Sequence, residues 1–99
     1  MRILGIDTSL RSTGVGVVDS AGSRLVLVEQ GTLRTPAGRP LSQCLLHLDA
    51  GLNELLARTR PDAAALEGIF HGKNTRTAVI LGEARGVAIA SCARAGVPV

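Results

Sequence analysis

Residues 2–33 read RILGIDTSLRSTGVGVVDSAGSRLVLVEQGTL, and their reading decides the fold. RILGID (2–7) is a short apolar run closed by an acid, the pattern of a buried strand. TGVGVVDSAGS (13–23) alternates and then reaches the turn-forming cluster Ser20-Ala21-Gly22-Ser23. RLVLVEQGTL (24–33) is rich in β-branched and apolar residues. Together the segments predict three consecutive antiparallel strands. RTPAGRP (34–40) then reads as a loop by its Pro and Gly.

Beyond Pro40 the apolar period changes from two to 3.6. Leu41, Cys44, Leu45, Leu48, Leu52, Leu55 and Leu56 share one helical stripe. Pro40 suits the first helical position. Arg58 and Arg60 complement the negative end of the helix dipole, and Pro61 stops the helix. DAAALE (62–67) follows as a strand able to return parallel to the first. GIFHGK (68–73) is a loop, and Asn74 or Thr75 caps a second helix running to about Arg94. Gly96 ends it, and VPV (97–99) begins what reads as another strand. The order β-β-β-α-β-α-β predicts an α/β domain over residues 1–99. Its sheet is mixed, with an antiparallel edge and parallel inner strands. Ala78, Gly82, Gly86 and Ala90 recur every four residues in the second helix. They read as a packing stripe against the sheet or the first helix, or as a subunit contact.

Composition sets bounds. At 99 residues the chain is one domain or part of one. With 45% hydrophobic and 19% charged residues it is globular. The net charge of +3 is compatible with a polyanion partner. Of its 11 basic residues, all but Lys73 are arginine. Cys44 and Cys92 are spaced for neither a zinc site nor a redox pair and read as reduced core thiols. No apolar run approaches the ~18 residues of a membrane span and no signal segment opens the chain. A cytoplasmic protein without a membrane partner is therefore expected.

Two carboxylates carry the chemical expectation. Asp7 closes the first strand and Glu67 the fourth, and open α/β sheets build sites at the carboxyl ends of parallel strands. If those strands are neighbours, two anions meet at one sheet edge, which is unfavourable without compensation. A divalent cation resolves the repulsion, and hard oxygen ligands favour magnesium, with manganese an alternative. Gly14 and Gly16 fall on one face of the second strand, with Val15 and Val17 on the other. The glycines read either as a bulge or tight packing, or as space cleared beside Asp7.

After Glu67 come Phe70, His71 and Lys73, which include the chain's one aromatic residue and its one lysine. Phe70 reads as a core residue or as a face for base stacking. Lys73, Arg76 and the helix start at Asn74–Thr77 suit phosphate. His71 is inert in an exposed loop or titrates near neutral pH.

ILGIDTSLRSTGVGVV (3–18) with LEGIFHGKNTRTAVILGEARGVAI (66–89) resembles the N-terminal half of the RuvC family of crossover junction endonucleases. The second block is the more specific: an acid, Phe three places on, Lys-Asn, then Leu-Gly-x-Ala-Arg-Gly. The resemblance implies an RNase H-like fold and a homodimer that cuts four-way (Holliday) junction DNA by magnesium-dependent phosphodiester hydrolysis. Branch-migration helicase subunits are implied as partners. It implies metal-binding catalytic roles for Asp7 and Glu67, base stacking for Phe70, and DNA-side loop positions for Lys73 and Asn74. Two departures stand beside it. The family commonly has Asp-Pro-Gly where this chain has Asp7-Thr8-Ser9. It also completes its metal site with two acids on a later helix, before which this chain ends. Asp19, Asp49 and Asp62 are poorly placed to replace them, so the 99 residues alone are expected to be weak or inactive. GIDTS (5–9) keeps an actin-type ATPase or carbamoyl-transfer relative as an alternative, and a catalytically dead DNA-binding or dimerisation module is a third.

Overall fold

In a computed structural model, residues 1–67 and 75–99 are described. Strands β1 (Arg2–Asp7), β2 (Ser12–Ala21) and β3 (Arg24–Arg34) come first, then helix α1 (Leu41–Thr59), β4 (Ala63–Leu66) and α2 (Thr75–Arg94). The sheet has the order β3-β2-β1-β4. β1 pairs antiparallel with β2 and parallel with β4, and β2 pairs antiparallel with β3. The mixed α/β sheet read from the sequence is therefore present. VPV (97–99) is not a strand, but the Ala64 N–H donates to the Pro98 carbonyl at 2.8 Å, so the chain begins to lie along β4 there.

Strand alternation sorts the side chains. Leu4, Ile6, Val17 and Ala64 turn to one face and are buried, with Val15, Leu33 and Leu66 packed beside them. Both helices cover this face. From α1 come Leu48, Leu52, Leu55 and Leu56, and from α2 Ala84, Ala88 and Cys92. Both cysteines are free and buried, as their spacing predicts. Gly51 marks a close approach: a Cβ there would stand 3.2 Å from Leu33 Cδ2, so the glycine lets α1 press against β3.

The helix ends differ from expectation in two respects. Pro40 is the residue before α1, extended at φ −66°, ψ 160°, rather than its first helical residue. Its carbonyl accepts the N–H groups of Gln43 and Cys44, and its ring provides no capping acceptor. At the far end Arg60 adopts the left-handed conformation (φ 48°) and donates its N–H to Leu56 O at 2.9 Å. The cation nearest the orphan carbonyls comes from β1, because Arg2 Nη1 donates to Thr59 O at 2.8 Å. Arg58 instead pairs with Glu29 of β3.

The packing reading fails for three of the four small residues in α2, Ala78 being half-buried. Gly82, Gly86 and Ala90 are exposed, and nothing lies within 4 Å of a Cβ built on either glycine. The buried face carries Ala84, Ala88, Ser91 and Cys92 instead. Positions 82 and 84 are two residues apart on a 3.6-residue turn, so they point to roughly opposite sides of the helix.

Candidate active site

The parallel register of β1 and β4 runs Ile3–Ala63, Leu4–Ala64, Gly5–Ala65 and Ile6–Leu66. One step further sets Asp7 alongside Glu67, and the Glu67 N–H continues the ladder by donating to Ile6 O at 3.2 Å. Adjacent strands lie about 4.8 Å apart, and register partners in a parallel pair project to the same face. Both acids are exposed and line one open cavity of about 860 Å³. Two carboxylates 60 positions apart in the chain thus become neighbours at the carboxyl edge of the sheet.

The floor of that cavity is almost without side chains. Gly5, Gly14, Gly16 and Ala65 lie in register across three strands on the Asp7 face, opposite the face that the helices cover. Gln30 and Thr32 of β3 border it. A Cβ on Gly14 would meet Asp7 Cβ at 3.6 Å, an ordinary contact, so an alanine fits and a larger branched side chain crowds the carboxylate. Space cleared beside Asp7 is therefore the reading the geometry supports. Gln30 and Thr32 escaped the sequence reading, although strand alternation puts both on one face.

The turn after Asp7 is tied down by side chains. Thr13, 1% exposed, donates its hydroxyl to Ser9 O at 2.6 Å and accepts the Ser9 N–H at 3.2 Å. Ser9 Oγ donates to Ser12 O at 2.8 Å and accepts the Ser12 N–H at 3.1 Å. These Ser and Thr hydroxyls hold the backbone of the turn that follows Asp7.

The other three aspartates are engaged elsewhere. Asp19 lies beside Arg2, at the opposite end of β1 from Asp7, and receives Nε at 2.8 Å and Nη2 at 3.0 Å. That hydrogen-bonded guanidinium holds the Asp19 carboxyl below its ordinary range. Asp62 accepts the Arg2 backbone N–H at 2.7 Å. Asp49 bridges the helices, accepting Ser91 Oγ at 2.6 Å and Arg94 Nη1 at 3.0 Å. The Ser91 bond, then the Arg94 bond, lower its pKa. Their displacement from the Asp7 edge agrees with the sequence reading.

A two-carboxylate set suits a hard divalent cation. Magnesium is commonly held by one or two carboxylates, with waters and substrate phosphate filling its other sites. The open floor leaves room for those partners. No group of three or more His, Cys, Asp or Glu suited to a metal occurs among the described residues. Phe70, His71, Lys73 and Asn74 lie outside the described residues. Arg76 is exposed in the first turn of α2.

The profile of the family described as crossover junction endodeoxyribonuclease RuvC matches residues 3–99. A crossover junction endodeoxyribonuclease RuvC of Chloroflexus aggregans is 50% identical over the whole chain, and one of Anaeromyxobacter sp. is 48% identical. The chain spans 60% and 53% of the length of these relatives. Among solved structures, Thermus thermophilus RuvC in complex with Holliday junction substrate superposes with a TM-score of 0.92 at 30% identity. That match covers 99% of this chain and 60% of that one. A second Thermus thermophilus RuvC structure gives 0.86. No helix among the described residues is long and apolar enough to cross a membrane.

Proposed function

Since this chain belongs to the RuvC family of crossover junction endodeoxyribonucleases and has its RNase H-like fold, we propose that the intact protein resolves four-way DNA junctions by metal-dependent phosphodiester hydrolysis. The single observation that carries the proposal is the pairing of Asp7 with Glu67 on the uncovered face of the sheet. Family membership decides against the actin-type ATPase reading of GIDTS (5–9).

In this mechanism Asp7 and Glu67, at the carboxyl edge of β1 and β4, would hold the cation as hard oxygen ligands. The bound ion, magnesium or manganese, would activate water and offset charge on the scissile phosphate. The floor of glycine and alanine admits a phosphodiester that a larger residue would exclude. Thr13 and Ser9 hold the turn that leaves Asp7. Phe70 is assigned to base stacking. Lys73, Asn74 and Arg76 are assigned to phosphate, and His71 to the same DNA-side loop. A homodimer would present two such edges to the two strands to be cut, with branch-migration helicase subunits as further partners in the cytoplasm. The chain spans 60% of the length of its Chloroflexus aggregans relative, so these 99 residues alone are expected to cut weakly or not at all.

The test is cleavage of a synthetic four-way junction by the intact protein carrying Asp7→Asn or Glu67→Gln. Loss of cutting with junction binding retained supports the assignment. Cutting at the wild-type rate by either variant overturns it. Wild-type protein that binds junctions, never cuts and ignores magnesium is a binding module instead.

A further inference from the structure

A second concavity, of about 510 Å³, lies at the same end of the domain. The turn after β1 contributes Leu10 and Arg11, the loop before α1 contributes Arg39, and the first turns of α2 contribute Arg76, Val79 and Ile80. Three exposed arginines thus share one groove with one carboxylate, Glu83. None of the three takes part in the ion pairs seen among the described residues. Arg11 Nη2 donates to Arg39 O at 3.1 Å, and the Thr35 N–H donates to Arg11 O at 2.9 Å, which fastens the turn to the loop. The floor is apolar and open, with Val79 at 52% exposure.

Guanidiniums without an ion pair among the described residues, around an apolar floor, have a defined chemical complement. Guanidinium forks match phosphate oxygens with paired hydrogen bonds. The apolar floor suits the sugar and base faces between successive phosphates. Three arginines against one carboxylate give the lining a net positive charge, the complement of a polyanionic backbone. Both α1 and α2 begin at this groove, and neither has an acid in its first turn, so Glu83 is the one carboxylate in the lining to set against the positive helix ends.

We propose that this groove is a subsite for the DNA backbone and that Arg11 and Arg39 bind phosphates of the strand that leaves the Asp7–Glu67 edge. The proposal rests on the nuclease reading above and adds residues to it from outside the loop after Glu67. It places the DNA path on the α1 side of the sheet edge as well as over the uncovered floor.

Junction binding by the intact protein, followed by fluorescence anisotropy across a salt series, tests it. Each phosphate contact removed lowers the steepness of log K against log salt by about 0.9. Arg39→Gln is expected to lose about one such increment, Arg11→Gln with Arg39→Gln about two, and Arg39→Lys none. Arg39 is exposed, so the thermal midpoint of Arg39→Gln should match wild type and separate lost contact from lost fold. Wild-type slopes in the double variant overturn the groove and leave the nuclease reading standing. If Val79→Asp then turns dimers into monomers in sedimentation, the groove belongs to a second copy of the chain. A wild-type protein with no preference for junction over duplex DNA overturns both readings.

Discussion

The Thr13 hydroxyl closes on both polar groups of the Ser9 backbone, giving its hydrogen to the carbonyl at 2.6 Å and receiving the N–H at 3.2 Å. Ser9 lies two residues after Asp7, so a buried hydroxyl on β2 fixes the turn that leaves the β1 carboxylate. Thr13→Val keeps the shape and removes both bonds. Leaving such groups unmatched costs about 1–3 kcal/mol. The expected outcome is a lower urea midpoint with an unchanged m-value, and a higher magnesium concentration for half-maximal cleavage. Thr13→Ser should restore both. A Thr13→Val protein as stable as wild type removes the claim.

At Gly14 the outcome depends on side-chain size. An alanine Cβ stands 3.6 Å from Asp7 Cβ, a normal contact. Gly14→Ala should fold and cut near the wild-type rate. Gly14→Val adds two methyl groups beside the carboxylate, and its branched side chain favours the strand. It should fold at least as stably while cutting falls at least tenfold. Equal rates for the two variants would mean that the floor does not have to be clear.

Asp49 links stability to pH. Its folded pKa is lowered, first by the Ser91 hydroxyl and then by Arg94, from an ordinary value of 3.8. A depressed folded pKa gives stability that is present above the unfolded value and is lost as pH falls through the folded one. Asp49→Asn should therefore lower the midpoint at neutral pH, by several degrees if the change is near 1 kcal/mol. The gap should narrow as pH falls below about 4, where the wild-type carboxylate also takes up its proton. A gap independent of pH would show that shape, rather than charge, holds the helices at this point.

Much of this was legible in the chain itself. The seven-residue apolar stripe of α1 recurs at helical spacing, and Cys44, Leu48, Leu52, Leu55 and Leu56 are its buried face. Val15 and Val17 alternate with Gly14 and Gly16, and that alternation put the glycines on the open side. The reading failed where a pattern suits either side of a helix. Small residues at 78, 82, 86 and 90 repeat with the same period as those at 84, 88 and 92, and their composition is too alike to show which row is buried. The arginines at 11, 39 and 76 carry no periodicity, and each belongs to a different element.

Local periodicity by itself determined the strands, the helices and most of the core, because burial of one face imposes a spacing on neighbours in the chain. Asp7 and Glu67 were also marked as strand-ending acids, since each follows an apolar run. Only the tertiary structure decided that β4 pairs with β1, that the two acids share a face, and that three arginines line one groove. Strand pairing depends on contacts distant in sequence, and long charged side chains at the surface leave no trace in the hydrophobic pattern that drives folding.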